Sequence, residues 1–99
     1  MAEHGPFASE QEAAATRAVR EARAAWDAIV ASGVRPVAGK HVPIHLKILA
    51  DALAAAGVEI TPWEERTFGW LANYEDTTCQ VIAGVIARAY EAGKGAGHG

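Results

Sequence analysis

The sequence predicts an all-α fold: one domain of four helices, with a long first helix, an extended connection over residues 34–42 and a compact C-terminal helical hairpin. Three observations lead there. Apolar residues recur at three- and four-residue spacing, no run alternates as a strand would, and Ser, Thr, Pro and Gly stand where helices start and stop. No period of about 20–50 residues repeats, which sets aside a solenoid. A chain of 99 residues supports one core rather than two, and 51% hydrophobic with 21% charged residues is the composition of a folded protein.

Ser9 followed by Glu12 has the spacing of a capping box, so helix one begins at residue 10. Ala18, Ala22, Ala25, Trp26 and Ile29 make its inward stripe, and Gly33 ends it after residue 32. Pro36 and Gly39 make VRPVAGKHV a connection. Pro43 suits the first turn of helix two, whose inward stripe is Leu46, Leu49, Ala50 and Leu53 up to Gly57. TPWEE at 61–65 opens helix three, with Thr61 as cap, Pro62 in the first turn, and Glu64 and Glu65 against the positive end of the helix dipole. Trp63, Thr67, Trp70, Leu71 and Tyr74 lie along one side of that helix, with Phe68 and Ala72 well around from them. Helix four starts near Asp76 or Thr77 and runs to Ala92, with Cys79, Ile82, Val85, Ile86, Ala89 and Tyr90 expected inward. Thr77, Gln80, Gly84, Arg88 and Glu91 are expected on its outer side. Residues 1–8 and 93–99 are expected to be flexible, with the domain at 9–92. Alanine fills 23 positions, so the three Trp and the Leu and Ile residues are expected to supply most of the core.

The runs HVPIHLKILADALAAAGVEI and WEERTFGWLANYEDTTCQVIAGVIARA resemble small helical proteins of high-GC actinobacteria. That resemblance spans residues 41–89 and implies a helical fold; the family has no assigned activity to carry over.

The chemical motifs are thin. A formal charge of −3 argues against a surface built for phosphate, and one cysteine permits neither an internal disulfide nor a four-thiolate zinc site. The N-terminal residues lack the apolar stretch of a signal peptide and no apolar run reaches the ~20 residues of a membrane span, so the expected location is the cytoplasm, with no membrane partner. His41 and His45 have HxxxH spacing, but Pro43 between them places His41 outside the helix, so no metal site is expected. Gly33 and Gly39 are spaced wrongly for a phosphate loop, and a helix rather than a strand precedes them. Cys79 falls in an inward phase, as an inert thiol would. Adjacent acids such as Glu64 and Glu65 diverge on a helix and do not converge on a substrate. No catalytic residue and no cofactor is expected.

Two functions fit what remains. The first is a non-catalytic protein-interaction or regulatory module that docks a partner, or a second copy of itself, on the aromatic face of Trp63, Phe68, Trp70 and Tyr74. The alternative is a small DNA-binding regulator built on the WLANYEDTTCQV corner, with residues 76–92 as recognition helix. Thr77, Gln80 and Arg88 would then meet base edges while Arg17, Arg20 and Arg23 hold phosphates. Against the alternative, Glu75 and Asp76 sit where a phosphate would be bound, and Asp27 is placed to pair with Arg23 along helix one.

Overall fold

In the computed structural model of the chain, which describes residues 3–33 and 39–96, the expected first helix is two. A short α1 (Glu10–Ala14) is capped by Ser9, and α2 (Arg17–Ala31) restarts on Thr16. The Thr16 hydroxyl donates to the Ala13 carbonyl at 2.7 Å and accepts the Val19 N–H at 3.4 Å. The Glu3 carboxylate accepts the N–H groups of Arg17 and Ala18 at 2.8 and 2.9 Å. These partners satisfy donors that a new helix start would leave unpaired, which offsets the helical bonds lost at the break.

Helix α3 (Val42–Ala55) carries Pro43 in its first turn and buries Ile48, Leu49 and Leu53; Ala50, expected inward, is exposed and Leu46 is half-buried. It ends as expected at Gly57, whose φ of 73° lets the Val58 N–H reach the Leu53 carbonyl at 2.9 Å and its own N–H reach Ala54 at 3.0 Å. Of the expected 34–42 connection, residues 34–38 lie outside the described residues and Val42 already belongs to α3. Helix α4 (Pro62–Leu71) opens on the full capping box: Thr61 Oγ1 accepts the Glu64 N–H at 3.2 Å, and Glu64 Oε1 accepts the Thr61 N–H at 2.9 Å. Helix α5 (Asp76–Ala96) passes through Gly93, where a stop was expected, so part of the expected tail is helical. Among the described residues there are these five helices and no strand.

The most extensive helix pair is α3 with α5, and α2 and α4 each lean on α3. Ala22, Ile48, Leu49, Cys79 and Ala83 form the core cluster, with Ile44, Phe68, Leu71 and Ile82 packed around it. The expectation that three Trp residues supply the core is corrected: Trp63 and Trp70 are exposed and Trp26 is half-buried. The molecule measures 54 × 33 × 17 Å.

Candidate functional site

Residues 63, 67, 70 and 74 recur at helical spacing and share one side of α4 and the turn that follows it. Phe68 and Leu71 pack against the core, Leu71 contrary to its expected place beside the Trp residues, which turns residues 63, 67, 70 and 74 outward. Trp63 is 70% exposed, Trp70 60% and Tyr74 49%. Trp70 and Tyr74 meet edge to face, with ring centroids 5.4 Å apart at 82°. The structure therefore brings three of the four expected interface residues to one surface and assigns Phe68 to the core. No residue of α4 is fully buried, so this helix is carried by the fold more than it builds it.

On α5 the expected faces are partly exchanged, with Cys79 and Ile82 inward and Glu91 outward as expected. Thr77 and Gln80 are 5% and 2% exposed and Gly84 is buried, whereas Val85 and Tyr90, expected inward, are 51% and 40% exposed. The cause is the N-terminal segment, which lies over α5 as a strap. Gln80 Nε2 donates to the Glu3 carbonyl at 2.7 Å, Thr77 Oγ1 donates to Glu10 Oε1 at 3.3 Å, and a Cβ on Gly84 would stand 2.6 Å from the His4 carbonyl oxygen. A polar face is buried here because a backbone with polar groups to satisfy covers it. Cys79 keeps its expected inward place, and burial pushes its thiol up to about 11, which keeps it protonated near neutral pH.

The arginines are separated by their partners. Arg23 forms a two-pronged pair with Asp76 across helices, at 2.8 and 3.1 Å, in place of the expected bond to Asp27. The hydrogen bond raises the Arg23 pKa and holds the Asp76 carboxyl below its ordinary value. Arg17 pairs loosely with Glu21 at 3.7 Å, Arg20 bonds the Thr16 carbonyl at 3.4 Å, and Arg88 bonds the Gly84 carbonyl of its own helix at 3.3 Å. As a DNA reader, α5 would have to present Thr77 and Gln80, and both lie under the strap.

The WLANYEDTTCQV corner is an internal joint fastened from three sides. His45 Nδ1 stands 3.0 Å from the Ala72 carbonyl and 2.8 Å from that of Tyr74, Arg23 holds Asp76, and the Cys79 thiol donates to the Leu71 carbonyl at 3.8 Å. The His45 and Cys79 contacts reach carbonyls at the end of α4 and in the turn beyond it. The His41 and His45 rings lie 5.3 Å apart, and no group of three or more His, Cys, Asp or Glu side chains among the described residues is arranged to hold a metal ion. No helix among the described residues is long and apolar enough to cross a membrane. Compared with protein-family models, curated proteins and solved structures, the chain matches none. The reading of function therefore rests on its surfaces.

The signal that sequence reasoning passed over was Gly84. A glycine inside a helix costs about 1 kcal/mol relative to alanine, and at Gly84, unlike Gly69 and Gly93, a close neighbour accounts for it. That neighbour is the backbone of His4.

Proposed function

We propose that this chain is a non-catalytic helical module that docks a protein, either a second copy or another chain, on the exposed side of α4. The observation that carries the reading is the shared exposure of Trp63, Trp70 and Tyr74 on one stripe. Single exposed apolar residues are ordinary on protein surfaces, but aromatic residues grouped on one face are the usual anchors of interfaces.

The first test is light scattering after size exclusion over a range of concentrations. The expected result is a dimer for the wild type and a monomer for Trp70→Ala, with helicity unchanged in both because Trp70 is an exposed side chain. A wild type that stays monomeric leaves a different chain as partner; proteins retained by the wild type must then be lost by the Trp63→Ala/Trp70→Ala double variant. Equal retention by both would refute the docking role of α4.

A further inference from the structure

His41 and His45 come together at the start of α3. His41 is the cap residue of that helix and already has helical backbone angles, φ −75° and ψ −20°, and its carbonyl accepts the His45 N–H at 3.0 Å. The expectation that Pro43 sets His41 outside the helix is therefore corrected. Proline in a first turn lacks only an N–H that has no helical partner there, so the turn stays intact. One turn separates the two residues, which puts both half-buried rings on one face, with centroids 5.3 Å apart and planes at 59°. Two imidazoles that bond one tetrahedral ion at about 2.0–2.1 Å have centroids roughly 5 Å apart. The second ring is also held in a ligand's orientation. His45 Nδ1 stands 3.0 Å from the Ala72 carbonyl and 2.8 Å from the Tyr74 carbonyl. Only a donor is stable between two acceptors, so Nδ1 carries the proton and Nε2 the lone pair. Metal-ligating histidines are fixed in this way, one ring N–H on a carbonyl and the other nitrogen left for the ion.

We propose that His41 and His45 chelate a borderline-soft divalent metal ion such as zinc, through His45 Nε2 and one ring nitrogen of His41, with water in the remaining positions. Imidazole suits such ions, whereas magnesium and calcium prefer oxygen ligands. The positive end of the α3 dipole opposes a cation here. The negative end of α4, whose cap residue Ala72 meets His45, and the Asp76 carboxylate, close enough for its charge to act on His45, offset it. Among the described residues no third His, Cys, Asp or Glu completes a set with this pair, so the ion is exchangeable, unlike one enclosed by four protein ligands. When bound, it fixes the His45 ring against the two carbonyls and braces the joint between α4 and α5.

The test is a zinc chloride titration of the ¹⁵N-labelled full chain near neutral pH, read by long-range ¹H–¹⁵N spectra of the imidazoles and by competition with a chromophoric chelator. Saturable binding is expected, with the His45 Nε2 resonance shifted and Nδ1 still protonated. His41→Gln and His45→Gln should each weaken zinc binding at least about tenfold, because a single imidazole has lost the chelate. His45→Gln also removes the bonds at the joint, so His41→Gln, which leaves them in place, is the deciding variant. Saturating zinc should raise the Tm of the wild type, and His41→Gln should lose that rise. His4→Gln, His98→Gln and Trp70→Ala should leave zinc affinity unchanged, which separates this site from the other histidines and from the α4 surface. The proposal is overturned if zinc binding does not saturate, if the wild type and His41→Gln bind alike, as independent imidazoles would, or if zinc displaces the Nδ1 proton of His45.

Discussion

Replacing Gly84 by alanine should destabilise the protein, although the same substitution in an unobstructed helix stabilises. Helix propensity alone favours Gly→Ala by about 1 kcal/mol. At Gly84, however, the new Cβ would stand 2.6 Å from the His4 carbonyl oxygen and 3.1 Å from the Phe7 ring, and the first of these is backbone with no flexible end to swing aside. The strap must lift. With it go the Gln80 bond to the Glu3 carbonyl and the two bonds from Arg17 and Ala18 to the Glu3 carboxylate. At about 1 kcal/mol each these total about 3 kcal/mol, so the net effect is a loss of about 2 kcal/mol, or a fall in Tm of roughly 10 °C for a domain this size. Gly69→Ala is the matched control, because nothing lies within 4 Å of a Cβ there and that variant should gain up to about 1 kcal/mol. Urea unfolding followed by circular dichroism gives both values. If Gly84→Ala and Gly69→Ala stabilise equally, the strap does not lie on α5, and the account of the buried Thr77 and Gln80 fails with it.

Thr61→Ala should cost about 1 kcal/mol and act locally, speeding amide hydrogen exchange in the first turns of α4 while leaving α3 and α5 protected, because α4 buries no residue fully. The Arg23–Asp76 pair sets an acid-side dependence: the folded carboxyl is held below its ordinary value of 3.8, so its contribution is present above that pH and is lost as pH falls through the lower folded value. With Arg23 53% exposed the contribution is at most about 1 kcal/mol, and Asp76→Asn should remove both it and its pH dependence in acid titrations of stability. Cys79 acts at the alkaline end. Burial holds its folded thiol at about 11 against an ordinary 9.0, so stability is complete below pH 9 and should fall by roughly 1.4 kcal/mol per pH unit as pH rises from 9 towards 11. Cys79→Ala should lack that slope in denaturant midpoints measured from pH 8 to 11.

What the sequence determined by itself was whatever local chemistry decides. The all-helical class, the Ser9 and Thr61 starts and the Gly57 stop depend on groups within about five residues of one another, and a single stretch of chain contains both the unsatisfied backbone group and its partner. The stripe of Trp63, Trp70 and Tyr74 was likewise legible, because spacing along a helix fixes which residues share a side. Which side faces the core was not legible. Periodicity separates the faces of a helix but does not name the neighbour that covers each, and α5 turned its Thr77, Gln80 and Gly84 face inward because a strap 77 residues from Gln80 in sequence brought a carbonyl to meet it. The break at Thr16 depended on a carboxylate 15 residues before Ala18, and the pairing of Arg23 with Asp76 rather than Asp27 spans 53 residues. Only the tertiary structure settles such choices, because the free energy of burying a polar group depends on whether a distant segment arrives to satisfy it.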